Sequence, residues 1–406
     1  MSELINNSKD KLQHLKDYAT GMLDGENGAD LYRKYEKILS KVTPNDVITV
    51  VDELVKTGEE MDDIKRTTNK ILNIFYKTIK GFGQYKPEKG SFIYYLMEEN
   101  RVMEKKMEDF KANIKKVFAV KDPKAELLAK RDEIKANLLE LTEYEKHWIK
   151  KENILFPYIE KYFPDYRCVG VMWSMHDDAR ESIKILLENI EKEEPLINVF
   201  NMNIGKLYYS VLPVIFREEY ILYPVAARAI KKTDWDEMLV QSAEEGFAFI
   251  EPPESLPKTV KQKEAQKSQA DSNLVNLETG KLSPAEIIRI FNHLPVDITF
   301  VDENDEVKYF STPKDRIFGR SKAIIGRKVQ NCHPHESVHI VNEIVDSFKS
   351  GKKDAESFWI SFKDKFLLIQ YFAVRDEQGN YKGVIEVSQD VSEIRKLKGE
   401  KRLLDM

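Results

Sequence analysis

Between residues 91 and 250 the apolar side chains recur with a period near 3.6, and the breaks fall in few places. Leu127, Leu128, Ile134, Leu138, Leu139 and Leu141 follow this period, with charged residues between them. Turn-forming clusters interrupt the pattern at Lys121-Asp122-Pro123, Phe163-Pro164-Asp165, Glu194-Pro195 and Lys232-Thr233-Asp234. That leaves about four long helices, the count of an up-down bundle, for residues 86–250.

Residues 1–85 read as a helical domain of unknown function, built from short amphipathic helices. Thr43-Pro44-Asn45 opens one of them, and Gly81-Phe82-Gly83 closes the region. Residues 251–282, EPPESLPKTVKQKEAQKSQADSNLVNLETGKL, are poor in aromatics and rich in Pro, Lys, Gln and Ser. They read as a flexible linker, because they cannot bury enough apolar surface to order themselves.

The period then changes to two. Ile298–Val301, Val307–Phe310, Phe358–Phe362, Phe366–Val374 and Val384–Val387 read as strands, with a helix at about His335 to Lys349. Residues 283–390 are therefore expected to form an α+β domain on a five-stranded antiparallel sheet. Residues 391–406 are expected to end the chain as an amphipathic helix carrying Val391, Ile394, Leu397 and Leu403, a candidate coiled-coil or docking segment.

Bulk properties exclude some classes. At 406 residues and a net charge of −5 there is no case for a general nucleic-acid binder. No apolar run approaches the roughly 18 residues of a membrane span, and the start of the chain lacks a secretory h-region. Only two cysteines occur, Cys168 and Cys332, far apart and outside any C-x-x-C. Their spacing fits a reducing cytoplasm.

Two stretches carry chemistry. Glu-x-Ile-Leu-aromatic-Pro occurs at Glu152–Pro157 and again at Glu219–Pro224. A carboxylate facing a bundle core is costly unless something neutralises it. A shared cation is the economical answer, since bundles build metal sites from carboxylates and histidines on facing helices. His147 and His176, the two histidines of this region, would join Glu152 and Glu219, with Glu99 and Asp177 as further candidate ligands. The second stretch is Asn331-Cys-His-Pro-His-Glu-Ser-Val-His339. It contains a literal H-E-x-x-H. That motif opens a short helix in a small α+β domain with no later histidine as third ligand, so a zinc-peptidase reading is set aside.

His147–Pro157, Val171–Asp178 and Glu218–Pro224 resemble the hemerythrin-like (HHE cation-binding) four-helix family. The preceding helices resemble the uncharacterised domain that often accompanies it, and residues 283–390 resemble a PAS sensor domain. The resemblance implies a non-heme di-iron centre held by histidines and bridging carboxylates. Ser91 and Tyr94 stand where relatives carry histidines. In the PAS region it implies heme or another small ligand, with Cys332, His333 and His339 matching the family phrase.

The function expected from this is a cytoplasmic sensor or regulatory protein. Its bundle would sense oxygen, nitric oxide or redox state, and its PAS domain would bind a ligand, a partner or a second copy. A di-iron enzyme or iron-handling factor for cluster repair, and a metal-free interaction scaffold, are the alternatives. No motif of an output enzyme is present.

Overall fold

The computed structural model describes residues 2–164, 166–253, 274–277, 279–362 and 364–399. It separates into two compact units, Met1–Thr259 and Val260–Met406.

The first unit is helical. Helices α1 (Ser2–Leu23), α2 (Gly28–Leu39), α3 (Pro44–Lys56) and α4 (Met61–Lys80) form the N-terminal region. Two of these, α1 and α4, span 22 and 20 residues and so are longer than the short helices expected. Asn27 caps α2 and Thr43 caps α3, the latter as a full capping box with Asp46.

The bundle follows as α5 (Phe92–Phe118), α6 (Pro123–Ala129), α7 (Arg131–Leu141), α8 (Glu145–Lys150), α9 (Phe156–Tyr162), α10 (Cys168–Ile190), α11 (Ile197–Arg217), α12 (Tyr223–Ala229) and α13 (Lys232–Glu245). The four long helices expected from the sequence are α5, the broken rod α7–α9, α10, and the broken rod α11–α12. Met103, Met107 and Phe110 of α5 meet Leu138, Ile183, Leu186, Phe200 and Leu207 in one continuous core.

Both breaks have the same form. Lys151–Leu155 joins α8 to α9 as a π-turn, and Glu218–Leu222 joins α11 to α12 as another. The N–H of Phe156 donates to the Lys151 carbonyl, five residues back, and that of Tyr223 to the Glu218 carbonyl. Proline is the cause. Pro157 and Pro224 have no N–H for the carbonyl four residues earlier, so the ladder widens by one residue before each of them.

The second unit begins with a short ladder, β1 (Val275–Asn276) against β2 (Lys281–Leu282). This ladder falls within residues 251–282, the stretch read from the sequence as a linker. Its residues 254–273 lie outside the described residues. After α14 (Pro284–His293), strands β3 (Asp297–Asp302), β4 (Val307–Phe310), β5 (Ala355–Phe362), β6 (Lys365–Arg375) and β7 (Tyr381–Asp390) form an antiparallel sheet in the order β4-β3-β7-β6-β5. Helix α15 (His335–Lys349) lies between β4 and β5 in sequence and buries Val345 and Phe348.

The terminal helix expected over 391–406 does not form in the described part, where Ile394–Lys396 makes one 3₁₀ turn. Ser392 explains this. Its N–H and hydroxyl both donate to Asp390, at 3.0 and 2.6 Å, and Val391 N–H bonds back to Phe366. The local bonds compete with helix propagation. Residues 400–406, with Leu403, lie outside the described residues.

Candidate functional site: a buried charged centre in the bundle

The two π-turns face each other across the bundle core. Adjacent residues on a regular helix point about 100° apart. Here both members of each pair, Lys151 with Glu152 and Glu218 with Glu219, are buried. Glu99 and Asn100 of α5, His147 and Lys150 of α8, and His176 of α10 complete a fully buried polar layer.

Its bonding is dense. Glu99 accepts from His147 Nδ1 at 2.8 Å, from Ala248 N–H at 2.8 Å and from Lys150 Nζ. Glu218 accepts from Lys151 Nζ, from Asn100 Nδ2 at 2.9 Å and from the Tyr223 hydroxyl at 3.0 Å. Glu219 accepts from the same amide at 3.1 Å and from Gln84. Glu152 takes His176 Nδ1 at 2.7 Å and Arg180 Nη2 at 2.9 Å. Tyr144 donates to Asn100 Oδ1 at 2.5 Å and stacks on the His147 ring, with centroids 4.4 Å apart.

Electrostatics follow the partners. Burial alone would raise the Glu218 carboxyl, but the Lys151 ammonium and His147 outweigh it and hold it at about 2. Glu219 has only amide donors. Burial pushes it up, helped by the charge of Glu218 and resisted by Gln84 and Asn100, to about 7. Burial drives His176 well below its ordinary range.

The expected metal ligands divide accordingly. Glu99, His147, Glu152, His176 and Glu219 are all in the buried layer, while Asp177 lies at its edge, bonded to Arg180 at 2.6 Å. The residues do not fit a di-iron centre. Both oxygens of Glu99, Glu152, Glu218 and Glu219 are taken by protein donors, four of these contacts coming from Lys150, Lys151, Arg180 and Gln84. His176 Nε2 is buried without a hydrogen-bond partner, and His147 Nε2 lies 3.4 Å from a Glu218 carboxylate oxygen. Two imidazole nitrogens without a free carboxylate are an incomplete set. Among the described residues no group of three or more His, Cys, Asp or Glu is arranged to hold a metal ion. Ser91 and Tyr94 lie at the start of α5, where the Ser91 hydroxyl caps the helix by accepting from Tyr94 N–H at 3.2 Å.

The sequence reading passed over Lys150, Lys151, Arg180, Glu218 and Asn100. A signal for the central pair existed. Lys151 and Glu218 each stand immediately before a copy of the repeated phrase and carry opposite charge.

In the second unit the candidate residues differ in burial. Cys332 packs partly buried against the Val301, Val307, Phe310 and Ile324 core, His333 is half-buried, and His339 is exposed on α15. Burial lowers the His333 pKa. The polar interior comes instead from residues the sequence reading did not select. Arg320 lies 3.6 Å from Glu386, and Arg316 holds the Ser311 carbonyl at 2.5 Å and Thr299 at 3.3 Å.

Among the described residues no helix is long and apolar enough to cross a membrane. No curated protein matches the chain. Among solved structures, a C-terminal domain from Streptococcus mutans is 30% identical, covering 32% of this chain and 100% of that one with a TM-score of 0.31. A PAS domain from Colwellia psychrerythraea is 17% identical, covering 27% and 97% with a TM-score of 0.22. A sensory box sensor histidine kinase from Vibrio cholerae is 12% identical, covering 26% and 90% with a TM-score of 0.21. The model of the hemerythrin HHE cation binding domain matches residues 91–226, and that of a PAS domain matches residues 287–392. The chain thus carries a hemerythrin HHE cation-binding domain in its helical bundle and a PAS domain in its C-terminal region.

Proposed function

We propose that the chain is a sensor or regulatory protein whose bundle is balanced by its own cations and whose PAS domain meets the ligand or partner. One observation carries the reading. Lys150 and Lys151 bring two ammonium groups into the layer where bridging cations were expected, against Glu99 and Glu218. A buried carboxylate needs a counter-charge, and a protein ammonium supplies one. The bundle then works as a rigid scaffold, and the signal enters through the PAS domain or through another site on the helical unit.

The competing reading is a gas or redox sensor built on di-iron. In its favour stands the buried Nε2 atom of His176, which has no hydrogen-bond partner. Metal content decides between them. The full chain, expressed in iron-supplemented medium and purified without an affinity tag, is expected to hold well under one iron or other transition metal per chain. The residual amount should be unaltered by His147→Ala with His176→Ala. Near two irons per chain, lost in that double variant, would overturn the proposal.

A further inference from the structure

Arg217 ends α11, and its guanidinium is directed to the N-terminal helices. One nitrogen donates to Asn69 of α4, and another lies 2.8 Å from the Met175 sulfur. The side chain is only 6% exposed. No carboxylate pairs with it among the described residues, and the groups that act on its charge are Tyr209 and Cys168. A buried guanidinium without a counter-charge is strongly unfavourable. A guanidinium keeps its charge at neutral pH.

Three further atoms around it lack partners: Arg217 Nε, Thr68 Oγ1 and Asn69 Nδ2. All three can donate a hydrogen bond, and all belong to residues at least nine-tenths buried. Arg217 and Thr68 line a cavity of 30 Å³ whose remaining walls include Val47, Leu72, Met172 and Leu222. A void admits one water-sized particle once it exceeds roughly 10–15 Å³. The cavity thus combines an uncompensated cation, unpaired donors and room for a particle of atomic size.

We propose that this cavity binds a monovalent anion of halide size, with Arg217 as its counter-charge and the Thr68 hydroxyl as a donor. Charge selects an anion over water, because water would satisfy the donors and leave the guanidinium unbalanced. The volume and apolar walls reject sulfate, phosphate and organic acids, which are larger and hold their hydration more tightly. The site lies between α3 and α4 on one side and α10 with the second π-turn on the other. An occupant therefore stabilises the docking of the N-terminal helices on the bundle by mass action. It is separate from the glutamate centre and does not depend on whether that centre takes metal.

The test uses the full chain at fixed ionic strength, exchanging chloride for gluconate. Thermal unfolding is followed by helical circular dichroism, and binding by excess broadening of the chloride-35 resonance. The melting temperature is expected to rise saturably with chloride, and bromide should displace the broadening. Thr68→Val is expected to weaken apparent affinity about tenfold, the scale of one charge-assisted hydrogen bond. Arg217→Met should abolish the dependence. Equal melting in chloride and gluconate without excess broadening would mean that the cavity holds water alone, and the proposal fails. It fails equally if chloride dependence persists unchanged in both variants. If Arg217→Met does not fold, the wild type and Thr68→Val still decide.

Discussion

Lys151 and Glu218 stand immediately before the two copies of one sequence phrase, 67 residues apart, and form an ion pair with each other. Each is the first residue of a π-turn, and each is fully buried. The repeat therefore encodes two matching backbone distortions. The charge difference at their first position lets the copies close on one another. Asn100 and Tyr144 extend the contact to α5 and to the turn that leads into α8.

Removing one side of this pair should be far worse than removing both. Lys151→Met leaves Glu218 buried without its cation, which typically costs about 3–5 kcal/mol. Lys151→Met combined with Glu218→Leu leaves neither charge and should recover most of that loss. Urea unfolding of the two single variants and the double variant gives the coupling energy. Additive effects would show that the ammonium does not compensate Glu218.

Glu219 gives the bundle a pH dependence of known sign. Its folded pKa, about 7, lies above the ordinary carboxylate value because it is buried beside charged Glu218. A raised pKa means that folding favours the protonated form. The stabilisation is fully present below about pH 4 and is lost as pH rises through 7. The shift corresponds to about 3 kcal/mol at most. Glu219→Gln keeps an uncharged group of the same shape. The variant should gain on the wild type between pH 5 and pH 8 when stability is measured by denaturant. A difference that stays constant over that range, or runs the other way, contradicts a neutral Glu219.

Much of the fold was legible. The helical period located four bundle rods because their apolar stripes are long, and the five strands followed from a clean change of period. The glutamates were found because an acid in an apolar phrase is conspicuous. Their neutralisers were not, because Lys150 and Lys151 look like any solvated lysine pair until the π-turn directs both inward. The turn was itself implied by Pro157 and Pro224, which break the i to i−4 ladder at the same point of each phrase. The tail was misread for a different reason. Ile394 and Leu397 have helical spacing but stay exposed among the described residues, while the Ser392–Asp390 bonds hold the backbone out of a helix.

The two cysteines should differ sharply toward thiol reagents. Cys168 is buried in the apolar wall of the Arg217 cavity. Burial, with a smaller push from Asp52, raises its thiol to about 12. Cys332 is half-buried, its sulfur 3.6 Å from the Lys328 carbonyl. One equivalent of label per native chain is expected, located at Cys332 by peptide mapping. Cys168 should label only in denaturant, because the thiolate is the reactive form. Fast native labelling of Cys168 would mean that the N-terminal helices open from the bundle.

Gly383 leaves no room for a side chain in the PAS sheet. It sits at φ 145 on β7, opposite Asp302 of β3 and Val374 of β6. A Cβ there would meet the Val301 carbonyl oxygen at 2.1 Å and the Phe300 ring at 2.9 Å. Both are held by strand pairing, so neither can yield without parting β3 from β7. Gly383→Ala should destabilise the domain by roughly 3 kcal/mol or more, the cost of overpacking added to backbone strain. Hydrogen exchange on the full chain reads this locally. Amides of residues 297–302 and 381–390 should lose protection by a factor of about a hundred or more, while those of α10 and α11 keep theirs. Unchanged protection on β7 would show that the strand can move to accept a methyl group, and that the close approach at Gly383 is not required by the sheet.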